Sequence, residues 1–459
     1  MFSKSFNRYE HRYWSIIGFF IFSLAFFILL KPYLGPLPIL NLKLSMNTDI
    51  TVQPIENTNT SHISSGEVIE TKQICNVSDP KFDFCDVEGD IRVHGKSSTI
   101  FAATSQMGDF VGNKSWNVKP YPRKKDQFMM GMIKEFSVNA ISRREEAAAT
   151  PPPCGINHSV PAVVFSVGGY AAINHWHAFT DILIPLFAAS AQFQGEVKFL
   201  VTNLEEFWIM KYEAILEQLS RYEIINIDTE DQVHCFPHLI VGLQHYKELR
   251  IDPLTASKGY SMKEFRKLIR NAYSLKKLTA IKIGNSNSQE KPRLLILTRN
   301  ASRRFLNVNE IAELAKSMGF EVVITEALTN LDKFSNIVNS CDVMIGIHGA
   351  GLTNFVFLPN NAILIQVLPC GGFEWLASNC FGDPALDMEL RYMEYKIKEE
   401  ESTLLEQYPL DHPVFKDPHS IHKDDWGMFK SVYLDKQDVK FNVSRFKDTF
   451  LEVLELLHH

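Results

Sequence analysis

Residues 294–347 read LLILTRNASRRFLNVNEIAELAKSMGFEVVITEALTNLDKFSNIVNSCDVMIGI, and this stretch decides the fold. Apolar runs of buried-strand length alternate here with two amphipathic helical patterns. The runs, with one that follows, occupy residues 294–298, 321–325, 342–347 and 363–368. Asn307 and Glu310 have the spacing of a capping box for the first helix, and Gly319 ends it. The stretch predicts a β-α-β-α-β unit, which is half of a doubly wound parallel sheet.

Ligands of such sheets bind at the carboxyl ends of the strands, which points to the loop HGAGLTN at 348–354. Gly349 and Gly351 let the backbone approach a ligand closely, and the helix that follows offers unpaired N–H groups to an anion. The alternative is a glycine turn packed against the sheet. His348 and Asn354 are polar at the same strand end, and they favour a cradle for a diphosphate.

A second loop supplies positive charge at a neighbouring strand end. Arg299, Arg303 and Arg304 follow the buried strand in LTRNASRRF, where a guanidinium can bind a phosphate through two hydrogen bonds. A solvated basic loop is the alternative for any one of them. Asn300 begins a glycosylation triplet in this loop, and we expect it to be unused because a glycan there would crowd the site.

An ionisable pair begins a helix earlier in the chain. His177 and Asp181 are four residues apart and therefore neighbours on one helical face, just after Asn174. An imidazole held by a carboxylate can act as a general base on a hydroxyl. Pro185 cannot donate to the carbonyl of Asp181, so we expect a kink that helps to aim the pair. A pair that merely stabilises the helix end is the alternative, and His175 could equally be the active imidazole.

Composition excludes some classes of function. The chain has 459 residues, 45% of them hydrophobic and 22% charged, which is typical of a globular protein. With 47 basic against 53 acidic residues, the formal net charge of −6 offers no overall field for nucleic acid. We therefore expect no nucleic-acid partner, and phosphate binding must be local.

The N-terminal segment predicts the compartment. Residues 14–30 read WSIIGFFIFSLAFFILL, without a charge and at the short end of what spans a bilayer. Lys4, Arg8 and Arg12 precede the run and keep the N-terminus in the cytosol. A cleaved signal peptide is the alternative, but a small-x-small site does not follow Leu30. The prediction is a single-pass type II protein of the Golgi membrane, since short spans favour early-secretory membranes.

Other features fit a lumenal location. Residues from 31 to about 70 are rich in Pro, Asn, Thr and Ser and predict a stem. Six glycosylation triplets are weak support, and they begin at Asn59, Asn76, Asn113, Asn157, Asn300 and Asn442. The seven cysteines lack a zinc-type spacing. In an oxidising lumen we expect bridges between Cys75 and Cys85 and between Cys370 and Cys380.

The longer blocks of sequence resemble plant glycosyltransferase family 61. The blocks with counterparts are residues 164–187, 235–253, 294–307, 341–369 and 391–404. The resemblance extends from Cys85 to Phe446, about four fifths of the 459 residues. It implies a type II Golgi enzyme of GT-B type, with two Rossmann-like α/β domains facing a cleft and inversion at the sugar carbon. The xylan-modifying clade looks most similar. Ile173 stands where the family usually has Gly, which puts specificity in question more than activity.

The resemblance and the residues together predict an organisation. The predicted parts are a cytosolic tail (1–13), the anchor (14–30), the stem (31–74), an acceptor-side α/β domain (75–284) and a Rossmann-like donor domain (285–459). His177 and Asp181 are the predicted catalytic residues. The predicted nucleotide-sugar-binding residues are Arg299, Arg304, His348, Gly349, Gly351 and Asn354. Asn174, His175 and Arg303 are further candidates.

The implied reaction is transfer of a xylosyl or arabinofuranosyl group from a UDP-sugar to xylan or a related cell-wall polysaccharide. The alternatives are an N-acetylglucosaminyl- or xylosyltransferase acting on glycoprotein glycans, and a catalytically silent Golgi glycan-binding protein. Complexes with other Golgi glycosyltransferases are a further option. A dinucleotide oxidoreductase is disfavoured because no G-x-G-x-x-G follows a strand-like run.

We expect no metal ion and no other cofactor. The strict Asp-x-Asp triplet that GT-A enzymes commonly place on Mn²⁺ does not occur in the sequence. Arg299, Arg304, His348 and the helix N-terminus after Gly351 would instead stabilise the leaving diphosphate.

Overall fold

The computed structural model describes residues 73–106, 114–141, 151–284, 290–423 and 425–459. The predicted tail, the predicted anchor and nearly all of the predicted stem lie outside these residues. Within the described part, no helix combines the length and the apolar character that a membrane crossing requires. The described residues all belong to one compact unit, and the predicted division at residue 285 stays a prediction.

Ten strands of the described residues form a mixed sheet in the first half of the chain. The strands are β1 (Cys75–Asn76), β2 (Phe84–His94), β3 (Thr99–Ala103), β4 (Lys114–Val118), β5 (Phe136–Ile141), β6 (Ile156–Asn157), β7 (Ala162–Ser166), β8 (Lys198–Thr202), β9 (Ile225–Asn226) and β10 (Val233–Val241). Their order is β4-β5-β3-β2-β10-β7-β8-β9, with β1 beside β2 and β6 beside β10.

The first sheet combines parallel and antiparallel strand pairs. Strands β10, β7, β8 and β9 are parallel neighbours, and β7 is buried along its whole length, as is usual for a sheet covered on both faces. Strand β2 alternates buried and more exposed residues and pairs antiparallel with β1, β3 and β10. A Rossmann-like domain requires a mostly parallel, doubly wound sheet. The predicted GT-B fold class, with two Rossmann-like domains, is therefore wrong for the first half.

The second half contains a five-stranded, entirely parallel sheet. Its strands are β11 (Arg293–Thr298), β12 (Glu321–Glu326), β13 (Val343–Ile347), β14 (Ile363–Leu368) and β15 (Arg391–Lys396). The order is β12-β11-β13-β14-β15, which is 2-1-3-4-5 when β11 is counted as the first strand. The predicted β-α-β-α-β unit is confirmed. The strand order reverses between β11 and β13, and such a point is where doubly wound sheets bind ligands.

Helices of the described residues cover these sheets. The α-helices are α1 (Gln127–Met130), α2 (His175–His177), α3 (Ile184–Ser190), α4 (Glu206–Leu219), α5 (Met262–Ala272), α6 (Val308–Ser317), α7 (Leu331–Asn339), α8 (Glu374–Ala377), α9 (Asp383–Asp387), α10 (Pro413–Lys416), α11 (Pro418–His422), α12 (Trp426–Phe429) and α13 (Val443–His458). The π-helices are Ala178–Leu183, Ser378–Gly382 and Lys430–Leu434. The 3₁₀ segments are Gly169–Ala172, Ala191–Phe193, Ser257–Gly259, Ala350–Phe357, Glu399–Glu401 and Thr403–Glu406.

Helix α6 begins where the sequence predicts, but the predicted capping box does not form. Asn307 precedes the helix as predicted, and its amide contacts Glu310 at 3.0 Å. The side chain makes no capping hydrogen bond to the first turn, because it instead pairs with both backbone groups of Phe441 at 3.0 Å. The predicted capping box is wrong, since a distant segment takes the polar atoms that it would use.

One hydrophobic core joins the two sheets. It includes Phe165 and Phe199 from the first sheet and Ile296 and Ile345 from the second. A separate cluster lies on the other face of the first sheet, and a third packs beside Cys370. The apolar contacts therefore hold the two halves together.

The cysteines confirm one predicted bridge and contradict the other. Cys75–Cys85 and Cys154–Cys235 are disulfides, and Cys341, Cys370 and Cys380 are free. The predicted bridge between Cys370 and Cys380 is wrong because Cys380 belongs to the main core whereas Cys370 packs against a different cluster. Closeness in sequence did not bring these two thiols together.

Candidate active site

The helix that carries His177 and Asp181 begins at an N-cap. The Asn174 side chain accepts hydrogen bonds from the backbone N–H groups of Trp176 (3.0 Å) and His177 (3.4 Å). The chain then forms the π-helix Ala178–Leu183, and Pro185, which follows it, has no N–H for the carbonyl of Asp181. The sequence did not predict this π-helix, which begins directly after His177 and contains Asp181, and the kink expected from Pro185 stays a prediction.

Asp181 is fully buried and has four hydrogen-bond donors. His177 Nδ1 lies 2.8 Å from Oδ2, and the Tyr121 hydroxyl donates to the same oxygen at 2.7 Å. Arg123 donates to Oδ1 from Nε at 2.8 Å and from Nη2 at 2.6 Å. Burial alone would raise the pKa of Asp181, but the Arg123 charge and the His177 hydrogen bond lower it overall. An ionised Asp181 accepts a hydrogen bond from Nδ1–H, so the basic lone pair of His177 is on Nε2.

A second carboxylate completes this arrangement. Arg123 donates from both terminal nitrogens to Glu248 at 2.7 Å, and the Thr180 hydroxyl donates to Glu248 at 2.9 Å. Arg123 has a positive φ of 89°, an uncommon backbone conformation that is often found at functional sites. Tyr121, Arg123 and Glu248 were missed by sequence reasoning because no local spacing connects them with the helix.

The side chains of Asp181, His245 and Glu248 could together offer ligands to a metal ion. One ligand atom from each lies within 4.8 Å of the others. However, the Arg123 guanidinium already contacts both carboxylates, at 2.6 and 2.7 Å. A divalent ion would have to displace this buried cation, so the set does not fit a metal in the arrangement observed.

Aromatic and apolar side chains surround His177. The Tyr170 ring stacks on the imidazole with centroids 4.7 Å apart, and Trp176 meets it edge-on at 4.9 Å. The His177 side chain is 18% exposed, and its Nε2 has no hydrogen-bond partner among the described residues and is not sealed from solvent. Ile173 is 87% exposed beside this segment. The free nitrogen therefore faces an open, partly apolar surface.

His175 lies in a different environment from His177. Its Nδ1 contacts the Tyr212 hydroxyl at 2.9 Å, and its Nε2 is sealed from solvent without a partner. Burial and the nearby Lys211 charge lower the pKa of His175 to about 3, and Asn354 beside it offsets a small part of that effect. An imidazole in this position is neutral and out of reach of a soluble substrate.

Arg299 and Arg303 follow strand β11 in the second sheet, where the strand order reverses between β11 and β13. Arg299 Nε donates to the carbonyl of Ser302 at 3.0 Å, and Arg303 Nη1 donates to the carbonyl of His348 at 2.6 Å. Among the described residues, neither guanidinium forms an ion pair with a carboxylate. Burial and the Arg299 charge lower the pKa of Arg303 to about 9. These two adjacent, poorly solvated cations, which have no carboxylate ion pair among the described residues, are the candidate anion site.

Gly349 is required for this arrangement. Its φ is 152°, and a Cβ there would lie 2.6 Å from Arg299 Nη1 and 2.9 Å from Arg303 Nη1. Any other residue would push the two guanidinium groups away. His348 is buried, and burial together with the Arg303 and Arg299 charges lowers its pKa to about 3. It is therefore a neutral imidazole beside two cations.

The remaining predicted nucleotide-sugar-binding residues, which are Arg304, Asn354 and Gly351, have different surroundings from those of Arg299 and Arg303. Arg304 is 48% exposed and paired with Asp438 at 2.6 Å, so its charge is already compensated. Asn354 is buried, donates to the carbonyl of Gly351 at 2.8 Å, and has an unpartnered Oδ1. Gly351 begins no α-helix, because Ala350–Phe357 is a 3₁₀ segment.

Both groups of predicted residues meet in one place. Helix α2 packs against the 3₁₀ segment Ala350–Phe357. The Trp176 indole donates to the carbonyl of Cys380 at 3.5 Å, and the neighbouring Phe381 ring lies 5.5 Å from that of His348. The structure thus brings together a free imidazole nitrogen and an anion site that are more than 100 residues apart in sequence.

Known proteins match this same region and most of the chain. The sequence model of the family described as Glycosyltransferase 61 matches residues 175–365. An alpha-1,3-arabinosyltransferase of Oryza sativa subsp. japonica is 43% identical over 392 residues, which are 84% of this chain and 65% of that protein. A beta-1,2-xylosyltransferase of the same rice is 40% identical over 396 residues, 83% of this chain and 84% of that protein.

A xylan glycosyltransferase of Arabidopsis thaliana is 34% identical over 421 residues, 88% of this chain and 84% of that protein. The chain spans slightly less than two thirds of the length of the arabinosyltransferase, at 65%. The xylosyltransferase and the xylan glycosyltransferase are covered over most of their length. At these identities and coverages, the chain belongs to glycosyltransferase family 61.

Proposed function

We propose that the protein is an inverting glycosyltransferase that moves a pentosyl group from a UDP-sugar to xylan or a related cell-wall polysaccharide. One observation carries the proposal. The helix that bears His177, with its free Nε2 and its buried carboxylate partner, packs against the segment that follows His348, whose carbonyl accepts from one of two arginines without carboxylate ion pairs. These are the two groups that a single displacement at a sugar carbon needs, a base for the acceptor and a positive site for the leaving diphosphate.

His177 is the base in this proposal. Its Nε2 takes the proton of an acceptor hydroxyl while the oxygen forms the bond to the anomeric carbon, which inverts that centre. The imidazolium that forms is stabilised by the ionised Asp181, which Arg123 and Tyr121 hold in place. Asp181 itself is fully buried and saturated with donors, so it orients His177 and does not reach the acceptor.

Arg299 and Arg303 receive the leaving group. As the bond between the anomeric carbon and the diphosphate oxygen breaks, negative charge develops on the phosphates. Two partly buried guanidinium groups stabilise that charge more strongly than exposed ones would, because water screens them less. Arg303 thus replaces Arg304 as the second arginine of the sequence-based proposal.

The sugar and the acceptor are inferred from relatives. The rice relatives are described as an arabinosyltransferase and a xylosyltransferase, and the Arabidopsis relative as a xylan glycosyltransferase. These names support a pentose as the transferred group, with arabinofuranose and xylose as the candidates, and xylan as the acceptor. A panel of UDP-sugars with xylo-oligosaccharides will identify the donor.

Metal independence is part of the proposal. Its support is that Arg123 fills the space between the carboxylates that could otherwise bind a divalent ion. Transfer should therefore persist in EDTA. A complete loss of activity that Mn²⁺ restores would overturn this part.

Replacement of His177 by alanine tests the proposal directly. General-base catalysis is worth about 10²–10⁴-fold, so His177→Ala should lower kcat at least about 100-fold. UDP affinity should stay near that of the unchanged protein, because His177 contacts the acceptor side. Asp181→Asn should cause a smaller loss in the same direction. Full turnover of His177→Ala on the true acceptor would remove His177 as the base. If the unchanged protein transferred no sugar from any UDP-sugar, a catalytically silent glycan-binding protein would be favoured.

We further propose that the catalytic part lies in the Golgi lumen, in the type II orientation that the sequence predicts. Two disulfides support an oxidising compartment. In intact microsomes, a C-terminal tag should be protected from added protease. Digestion of the tag without detergent would contradict this orientation.

A further inference from the structure

His348 is connected to the protein surface by a chain of side-chain contacts. In the structure, Nδ1 of His348 lies 2.6 Å from Nε2 of Gln366, and Oε1 of Gln366 lies 2.7 Å from the Tyr392 hydroxyl. The same hydroxyl lies 2.9 Å from Oε1 of Glu394. Gln366 is fully buried in β14, whereas Glu394 is exposed on the edge strand β15.

The number of protons available along these contacts determines which way the hydrogen bonds between His348 and Glu394 point. With the Gln366 oxygen facing Tyr392, as the structure places it, the hydroxyl faces two acceptors, the amide oxygen and the Glu394 carboxylate, with one proton to give. One contact then brings lone pairs together. An amide has nearly the same shape after a 180° turn, which exchanges its oxygen and its nitrogen. Turning the Gln366 amide gives every contact one proton.

In the consistent arrangement, all the hydrogen bonds point towards the carboxylate. Tyr392 donates to Glu394, the NH₂ group of Gln366 donates to the Tyr392 oxygen, and His348 donates from Nδ1 to the Gln366 oxygen. A neutral imidazole has one N–H, so Nε2 of His348 then has a free lone pair. In this arrangement, the exposed carboxylate of Glu394 fixes the tautomer of a buried histidine that is three contacts away.

Nε2 of His348 is available to a ligand. It has no hydrogen-bond partner among the described residues, and it is not sealed from solvent. A lone pair accepts a hydrogen bond, so this atom cannot donate to a phosphate oxygen. Arg299 and Arg303 already supply donors for phosphate, which leaves a hydroxyl group as the suitable partner for Nε2.

We propose that Glu394 acts through Tyr392 and Gln366 to keep Nε2 of His348 unprotonated, and that this atom accepts a hydrogen bond from a hydroxyl of the sugar nucleotide. Glu394, Tyr392 and Gln366 are positioning residues in this scheme. The second half of the inference rests on the proposed donor site. The hydroxyl belongs either to the ribose or to the transferred pentose, and both share the same chemistry.

The tautomer can be read by NMR without any substrate. Protein labelled with ¹⁵N in histidine should show Nδ1 of His348 protonated and Nε2 unprotonated, with the signals assigned from a His348→Gln variant. Glu394→Lys replaces an acceptor with a group that only donates, so it should reverse every hydrogen bond and move the proton to Nε2. Glu374→Lys makes the same charge change at an exposed carboxylate outside the chain and should leave the tautomer as it was.

Binding measurements then test the role of the hydroxyl. Loss of one neutral hydrogen bond is worth about 3- to 10-fold in affinity, so Glu394→Lys should weaken UDP-pentose binding by that factor relative to Glu374→Lys. If UDP alone is weakened equally, the hydroxyl is on the ribose; if UDP is unaffected, it is on the pentose. Tyr392→Phe breaks the chain without a charge change and should weaken binding in the same direction.

Different results separate the inference from the proposed function. An Nε2–H tautomer in the unchanged protein, or no change in Glu394→Lys, would overturn the control by Glu394. A reversed tautomer with unchanged affinity for both UDP and UDP-pentose would overturn the role assigned to Nε2. If the protein bound no sugar nucleotide at all, the proposed function would fail while the NMR result still decided what sets the tautomer.

Discussion

Arg303 and Arg304 are neighbours in sequence with opposite surroundings. Arg303 is largely buried, contacts the carbonyl of His348 and has an unpartnered Nε, whereas Arg304 is exposed and paired with Asp438. A charge-assisted phosphate contact is worth about 1.5–3 kcal/mol, or roughly 10- to 150-fold in affinity. Arg303→Met should weaken UDP binding by that factor in calorimetry, and Arg304→Met should change it little. Equal losses in the two variants would mean that the diphosphate contacts Arg304 as well.

Arg123 compensates the buried carboxylate of Asp181 and the partly buried carboxylate of Glu248, so its removal should destabilise the fold. Breaking a buried ion pair costs about 3–5 kcal/mol because a charge is left without a partner. Arg123→Met should therefore melt at a clearly lower temperature at pH 7. Arg221→Met is the matched control, since Arg221 is paired with Glu196 at the surface and should melt unchanged.

The destabilisation caused by Arg123→Met should become smaller as the pH falls. The pKa values of Asp181 and Glu248 are both lowered in the folded protein, so the stability they contribute is present above their unfolded pKa of about 4 and is lost at lower pH. In Arg123→Met these carboxylates protonate more readily, and the unpaired charge disappears. The difference in melting temperature between the two proteins should narrow from pH 7 to pH 4. A constant difference would mean that Arg123 stabilises through packing.

The same residues show what spacing can and cannot predict. The contact between His177 and Asp181 follows from the geometry of one helical turn, and its distance of 2.8 Å agrees. Tyr121 and Arg123 reach Asp181, and Glu248 reaches Thr180, from other parts of the chain that are 58 to 68 residues away in sequence. Local patterns carry no information about such partners.

At the scale of elements, the N-cap of α2 positions the proposed base. Asn174→Ala removes two hydrogen bonds to the first turn, and loss of an N-cap costs about 0.5–2 kcal/mol. The variant should melt at a lower temperature and lose turnover, because the His177 backbone is one of the two capped groups. Asn174→Ser can still cap and should recover most of both properties. Turnover that is normal in Asn174→Ala would show that the helix start does not need its cap to place His177.

Elements whose order depends on local contacts were the most predictable. Strands β11 to β14 and helices α6 and α7 follow buried-strand and helical patterns, and their parallel pairing needs only short crossovers. The first sheet depends instead on pairings such as β2 with β10, which join Cys85 to Val241. The alternating pattern in β2 is a period-2 signal of an antiparallel strand, but a period does not name the partner strand.

For the whole molecule, the Cys154–Cys235 bridge encloses the segment with the proposed base. Removal of a native disulfide costs about 2–5 kcal/mol, and more for long loops. A Cys154→Ser/Cys235→Ser double variant should therefore melt well below the unchanged protein. Cys75→Ser/Cys85→Ser opens a loop with a separation of 10 residues instead of 81 and should lower the melting temperature less. A larger loss from the short loop would indicate that contacts around Cys75, and not loop closure, dominate.

The overall architecture was the least predictable scale. Family resemblance implied two Rossmann-like domains, and the second sheet fits that description, but the first is mixed and shares its core with the second. Strand direction in the first half is set by contacts between distant segments, and the apolar character of β7 and β8 is compatible with several partners.

The two cysteines of the Cys154–Cys235 bridge are synthesised at different times. Ribosomes add about 5–20 residues per second, so about 4–16 s pass between delivery of the two cysteines, which are 81 residues apart. Cys85 follows Cys75 by 10 residues, within about 0.5–2 s at the same rate. Throughout the longer interval, Cys154 is a nascent thiol that can pair with an earlier cysteine, and the segment bearing His177 emerges during that time. An oxidoreductase that can undo an early mispairing would therefore favour correct maturation, and the reducing bacterial cytosol would be a poor host for producing this protein.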